Sequence, residues 1–429
     1  MTLLSPQGQE LLAVLAAEPD SESLALATRL RRAYPPDLVA AAMTQQQLRR
    51  TAAAKFSRAA DMLFTRAGYE QSSSEAIARY RAGRFREAAR VADLCCGIGG
   101  DLIALAEPTA GPTAGPGVGA REVLAVDRDE THARLALHNA AVYGRVDRAR
   151  ALVGDVRDVP LGGLDAVFID PARRSGQGAA SAPHAGRYKP GLSEPPLDWC
   201  AALAETVPAV GIKAAPGIPE DLIPDDWEAE FIAEHRDLKE AVLWSPSLAT
   251  APPIDRGNSR GPRRATVLVP GTADNAADNA PRSYTLVGHE GAAVALREPG
   301  EYLLDPNPAV TRAGLVEDLA RVLGEDAAKI DPQIAFLTLD RDVDTPFART
   351  LRVQYSAPWH EKSFAKRLRE LDIGAIDIRR RGLAGDVDQI RRRMKLAGRK
   401  RATVVITRVN DKPWGLICAE PLRTPAITQ

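Results

Sequence analysis

The segment VADLCCGIGGD, Val91 to Asp101, constrains the fold more than any other part of the chain. An apolar stretch carrying Asp93 breaks into a turn containing Gly97, Gly99 and Gly100, and helix-forming residues follow from Leu102 to Ala106. Glycine reaches backbone angles closed to other residues and lets a ligand approach the main chain. A strand, a glycine turn and a helix in that order open an α/β sheet, and such sheets bind ligands at the carboxyl ends of their strands.

The spacing selects the ligand. A dinucleotide site presents a helix N-terminus to a pyrophosphate through G-x-G-x-x-G, with no acid beside it. Here the pattern is D-x-x-x-G-x-G-G. The carboxylate of Asp93 would repel a pyrophosphate and would suit a cationic amino or sulfonium group. That predicts S-adenosylmethionine, contacted by Asp93, Cys95, Gly97 and Gly99; on this motif alone a plain βα turn is the alternative.

Three further acids extend the pattern. EVLAVDRD predicts a second strand ending in Asp127, whose carboxylate can accept from ribose hydroxyls. ALVGDVR predicts a third strand ending in Asp155, which can accept from an adenine amino group. LDAVFIDPARR predicts a fourth, ending in Asp170-Pro171, where the methyl acceptor is expected. Any one of these could be a solvated aspartate at a strand end. Four in succession predict one pocket.

Together these motifs resemble the class I S-adenosylmethionine-dependent methyltransferases. More narrowly, the chain resembles a bacterial set with a THUMP-like C-terminal domain, distantly similar to the trimethylguanosine synthases. The resemblance rests on EQSSSE (Glu70 to Glu75), DLCCGIGGD, AVDRD, GDVRD, FIDPARR, GIKAAPGI (Gly211 to Ile218) and the stretch from about 302 to 420. It implies a Rossmann-like sheet, an N-terminal helical cap and a small α+β, ferredoxin-like module of THUMP-like type. It also implies donor contacts from Gln71, Ser73 and Ser74. In the exocyclic amino methyltransferases the acceptor motif is (D/N)-P-P-(Y/F/W). Here Asp170-Pro171-Ala172-Arg173 has no stacking aromatic. Asp170, Pro171 and Arg173 are the expected catalytic residues. Arg173, Arg174, Tyr188 and Lys213 are the candidates to hold the acceptor, by guanidinium stacking, phosphate clamping, a ring from the loop or a pocket cation.

Charge extends the reading. The 429 residues carry 56 basic and 56 acidic side chains, but Lys362 to Lys412 holds a surplus of ten positive charges. Clusters such as Arg379 to Arg381, Arg391 to Arg393 and Arg399 to Arg401 suit a phosphate backbone, so tRNA or rRNA is the expected partner. A solvated charged face is the alternative. Three functions therefore stand open: an RNA methyltransferase, a small-molecule or protein methyltransferase with a structural tail, and a binding protein without turnover. Four cysteines form no C-x-x-C pair, and six histidines show no ligand spacing, so no metal is expected. No signal peptide or membrane span is evident, which predicts a soluble, cytoplasmic chain.

The expected organisation is a helical region over 1–90, a methyltransferase domain over 91–270, a linker over 271–300 and the α+β module over 301–429. Helices are predicted over Leu24–Ala33 and Leu38–Gly68, divided by Pro35-Pro36, with Ser73 or Ser74 capping the next. Strands are predicted near 91–95, 122–127, 150–154, 165–169, 208–214, 229–234, 239–244 and 264–269. The repeats in Glu107–Ala120 and Thr272–Ser283 predict loose loops.

Overall fold

The computed structural model describes residues 2–18, 23–108, 121–173, 193–253, 255–256, 259–269 and 281–420. Most of both repeat loops lies outside those residues. The chain forms two compact units, one of residues 1–227 and 240–250, the other of residues 228–239 and 251–429.

The first unit begins with helices α1 (Pro6–Ala17), α2 (Leu24–Leu30), α3 (Pro36–Ala52), α4 (Arg66–Gln71) and α5 (Glu75–Ala82). The sheet alternates with helices after that: β1 (Arg90–Leu94), α6 (Gly100–Leu105), β2 (Glu122–Asp127), α7 (Glu130–Val142), β3 (Ala149–Val153), β4 (Ala166–Ile169), the short β5 (Ala172–Arg173) and β6 (Ser193–Glu194), α8 (Leu197–Ala202) and β7 (Ala209–Ala214). β1 lies between β2 and β4, with β3 beyond β2 and β7 beyond β4, all parallel. The far part of β9 (Asp237–Trp244) adds antiparallel to β7. This is the α/β architecture expected, and its strands fall within a residue or two of their predicted places.

Apolar runs explain the sheet: Val91, Ala92 and Leu94 of β1 and all of β4 are buried. Gly211 is required where β7 passes Trp244, since a Cβ there would lie 2.6 Å from that ring.

The helical cap departs from expectation in one place. Helix was expected through Gly68, yet α3 ends at Ala52. The side chains of α3 bond the backbone that follows: Arg49 Nε donates to the Met62 carbonyl at 2.9 Å, and the Phe64 N–H donates to Gln45 Oε1 at 3.2 Å. The chain folds back so that Phe56, Met62 and Leu63 join the buried cluster with Leu11, Leu15 and Val39. Burying these side chains outweighs local helix propensity. Of the two serines predicted to cap α5, Ser74 does so, accepting from Ile77 N–H at 3.3 Å.

Asn139 of α7 fixes the cap to the glycine turn. Fully buried, it donates to the carbonyls of Leu63 (3.0 Å) and Ile98 (2.9 Å) and accepts from Leu63 N–H (2.8 Å). Replacing it with leucine would leave three buried backbone groups without partners. Asn139→Leu is expected to cost about 3 kcal/mol, from roughly 1 kcal/mol or more per stranded group. Urea denaturation measures this, and a loss near zero would mean the turn is held by other contacts.

In the second unit β8 (Glu228–Glu234) pairs parallel with β12 (Arg263–Val269), and β13 (Arg282–Val287) pairs antiparallel with β12. Two-residue strands β10 (Asp255–Arg256) and β11 (Ser259–Arg260) form a small ribbon between them in sequence. The expected linker over 271–300 thus contains a sheet strand, β13.

A second sheet is built from β14 (Tyr302–Pro306), β15 (Ala328–Lys329), β16 (Leu337–Leu339), β17 (Ala348–Pro358), β18 (Ile373–Arg380), β19 (Lys400–Val409) and β20 (Lys412–Ala419), in the order β15-β16-β14-β17-β20-β19-β18. Helices α9 (Pro308–Arg312), α10 (Val316–Leu323), α11 (Glu361–Glu370) and α12 (Val387–Met394) accompany it. β18 and β19 pair parallel across α12, the expected strand–helix–strand unit. Phe364, Leu368 and Met394 are buried, while Leu371 and Ile390 are half-buried at the edge of the same cluster. Asp386 caps α12, accepting from the N–H groups of Asp388 and Gln389.

Candidate active site

The carboxyl ends of β1, β2, β3, β4 and β7 surround a cavity of about 440 Å³ in the first unit. That volume is in the range of small-molecule sites. Cys95, Gly97, Asp127, Asp155, Asp170, Pro171 and Lys213 all line it.

The turn after β1 makes one wall. Cys95 and Gly97 have positive φ, 60° and 53°. A Cβ on Gly97 would meet nothing within 4 Å, so the main chain is open to a ligand there. Gly97 N–H donates to Asp127 Oδ2 at 2.8 Å. Gly99 does not line the cavity. Its φ is 84°, and a Cβ would lie 2.8 Å from the Ala136 backbone, so glycine is needed there to pack the turn on α7. Burial pushes the Cys95 thiol up, which keeps it a neutral thiol.

Asp93 also lies behind the wall rather than on it. It is fully buried, and neither carboxylate oxygen has a hydrogen-bond partner. Burial, then the charges of Asp101 and Asp170, push its carboxyl well above the usual range, with Arg81 pulling the other way.

Asp127, at the end of β2, accepts from the N–H groups of Gly97 and Asp129. Its Oδ1 lies 3.7 Å from His132 Nδ1, and His132 Nε2 lies 3.2 Å from Thr65 Oγ1 of the cap. Burial alone would raise Asp127, but His132 and the two N–H groups hold it below the usual carboxylate range. Bonding to Asp127 correspondingly raises His132. Asp155 is more open. Arg157 donates to both of its oxygens (2.9 and 2.7 Å) and also reaches Glu194, holding Asp155 down to about 2.

At the end of β4, Asp170 Oδ2 accepts from Lys213 Nζ at 2.6 Å. The same ammonium donates to the Gln71 carbonyl at 3.3 Å. Burial raises Asp170 and Lys213 opposes it. Pro171 follows on the wall, and β5 pairs with β6 so that Ala172 lies opposite Glu194. The backbone of Arg173 lies in β5, while Arg174 and Tyr188 fall outside the described residues.

Of the cap residues expected near the donor, Gln71 lines the cavity. Ser73 and Ser74 do not. Ser74 caps α5, and Ser73 Oγ donates to Glu240 Oε2 at 2.8 Å. Ser73 belongs to a buried network that sequence reading missed. The Arg81 guanidinium, 1% exposed, pairs with Glu240 and Asp101, donates to Ser73 Oγ at 3.2 Å and lies over the Phe168 ring. Asp101 also lines the cavity. Asp101 stands inside the glycine motif and was legible there. Arg81 and Glu240 carry no local signal, because β9 brings Glu240 to the site from a distant part of the chain.

These residues fit a sulfonium nucleoside. The open backbone at Gly97, the carboxylates of Asp127 and Asp155 on the cavity and the acids without an equal number of cations around Asp93 suit a ligand with hydroxyls, an amino group and positive charge. Fold and site together define a class I methyltransferase.

Residues 88–183 match the family described as RNA cap guanine-N2 methyltransferase, residues 348–420 match the THUMP domain-like family, and residues 1–52 match a domain of unknown function. An uncharacterized S-adenosylmethionine-dependent methyltransferase of Mycobacterium tuberculosis (strain H37Rv) is 34% identical over 375 residues, which cover 84% of this chain and 90% of that protein. The counterpart in strain CDC 1551 matches equally. A presumed methyltransferase from Porphyromonas gingivalis W83 has the same fold, with a TM-score of 0.68 at 22% identity over 97% of this chain and 99% of that one. The chain belongs to the S-adenosylmethionine-dependent methyltransferases and carries a THUMP-like domain toward its C-terminal end. Among the described residues, no helix is long and apolar enough to cross a membrane.

Proposed function

We propose that this enzyme methylates a nucleotide of tRNA or rRNA in the cytoplasm. The donor is held by Gly97, Asp127 and Asp155, and the acceptor sits at Asp170-Pro171. When bound, the donor would supply a sulfonium methyl group, to which an in-line nucleophile bonds as the carbon–sulfur bond breaks and the neutral thioether leaves. Little acid–base chemistry is needed, so alignment contributes much of the rate. Asp170 accepts a hydrogen bond from the nucleophile and stabilises the positive charge that grows on it. Pro171 fixes the turn that follows. Arg173 is the nearest candidate in sequence to stack on a base in place of the missing ring.

One observation carries the choice of RNA. In the basic segment of the second unit, Arg391, Arg393, Arg379 and Arg399 are tied to Asp388, Glu361, Asp377 and Asp372. Arg392, Lys395, Lys400 and Arg401 are exposed and make no ion pair among the described residues. Uncompensated surface cations suit a phosphate backbone. The match to an RNA cap methyltransferase family supports the same reading.

The test is incubation with methyl-labelled donor and total RNA from a strain lacking the protein, followed by nucleoside mass spectrometry. A labelled nucleoside supports the reading. Label confined to protein or small molecules overturns it. Replacing Arg392, Lys395, Lys400 and Arg401 with glutamine is expected to lower the slope of log affinity against log salt by about three, at roughly 0.7–0.9 per lost contact. An unchanged slope would remove this surface from RNA binding.

A further inference from the structure

We infer that Lys213 is a positioning residue: its ammonium latches the end of α4 to Asp170 and keeps that carboxylate charged and aimed at the acceptor. The inference rests on the reading that the acceptor sits at Asp170. It treats Lys213 not as a clamp for substrate phosphate but as a brace for the group that meets the nucleophile.

Geometry carries it. Lys213 comes from a buried strand, and its side chain is 7% exposed against 28% for Asp170. So buried an ammonium is poorly placed to meet a solvated polyanion, and two of its three donors are already spent on Asp170 and on the Gln71 carbonyl. Gln71 ends α4, the cap helix whose residues Ala67, Gly68, Glu70 and Gln71 wall the cavity. Lys55 anchors the same helix end, donating to the carbonyls of Tyr69 (2.8 Å) and Ser72 (2.9 Å). One cation therefore joins the cap's edge to the acceptor carboxylate.

The surroundings make the charge on Lys213 matter. Asp93 and Asp101 act on Asp170 from β1 and α6, and Glu240 acts on Lys213 from β9. Arg81 of α5 answers Asp101 and Glu240. Among the described residues, that leaves Lys213 as the cation bonded to Asp170. Without it, a carboxylate in this company takes up a proton while no donor is bound, and once a bound sulfonium drives that proton off, nothing aims the carboxylate.

The experiment compares wild type, Lys213→Met, Lys213→Arg and Lys213→Met/Asp170→Asn. S-adenosylmethionine binding is measured by calorimetry in buffers of different ionisation heat, which counts protons exchanged. Lys213→Met is expected to release about one more proton than wild type on binding near pH 7, as the sulfonium reverses the protonation of Asp170. Lys213→Arg and the double variant are expected to match wild type. Equal proton counts in wild type and Lys213→Met would overturn the inference. If Lys213→Met does not fold, Lys213→Gln takes its place with the same expectation.

Transfer to total RNA is read alongside. Lys213→Met is expected to lose ~100-fold in kcat, because the carboxylate recharged by the bound donor is no longer held in line, and Lys213→Arg to recover part of it. A full proton effect with no loss of transfer in either Lys213→Met or Asp170→Asn would leave the ion pair standing and move the acceptor elsewhere.

Discussion

Asp170→Asn is expected to lower methyl transfer by ~10²–10³-fold while donor affinity changes only a few-fold. The size follows from removing one preorganised charge from the place where charge develops in the transition state. Asparagine keeps the shape and one accepting oxygen but loses the negative charge that faces Lys213. The donor's other contacts, at Gly97, Asp127 and Asp155, remain. Rate and affinity should therefore separate. Single-turnover transfer and calorimetric binding of S-adenosylmethionine measure the two. Acidification has the same sign in wild type: burial holds Asp170 above the usual carboxylate range, so activity falls as pH drops through that raised value. The acidic limb should vanish in Asp170→Asn. An active variant with an unchanged profile would place the nucleophile against another group.

The aspartates at the strand ends were legible because sequence records where an apolar run stops, and a parallel sheet gathers those stops at one edge. Asp127, Asp155 and Asp170 meet on one wall for that reason. Sequence does not record which way a side chain turns once it is there. Asp93 and Gly99 belong to the same motif yet face inward, Asp93 beneath the cavity and Gly99 against α7. Local propensity likewise described α3 correctly and then overran it. Residues 53–64 read as helix until Arg49, Gln45 and Asn139 offer their backbone better partners.

The network around Arg81 was hidden most completely, and its removal should affect stability most. Arg81 pairs with Asp101 from α6 and Glu240 from β9, bonds Ser73 and covers the Phe168 ring. Replacing a buried ion pair by well-packed apolar groups can be neutral, but removing one partner leaves charge without compensation. Arg81→Met does the latter twice, stranding Asp101 and Glu240 beside Asp93 and Asp170. A loss of about 3–5 kcal/mol is expected, a large share of the roughly 5–15 kcal/mol typical of a folded protein. Arg81→Lys should recover little, because one ammonium lacks the planar fork that reaches both acids. Arg81→Met/Glu240→Gln should recover part, by removing one stranded charge. The sign of the pH effect separates this account from lost packing. In Arg81→Met the buried Asp93 and Asp170, already raised by burial, lose the pull of Arg81 and rise further above their unfolded values. Their protonation then stabilises the fold at low pH, and that stabilisation is lost as pH rises through the raised values. The gap between variant and wild type should therefore narrow on acidification. Urea denaturation across pH measures it. A gap that stays constant with pH would assign the loss to the missing cover over Phe168, and the acids to a site that tolerates them unpaired.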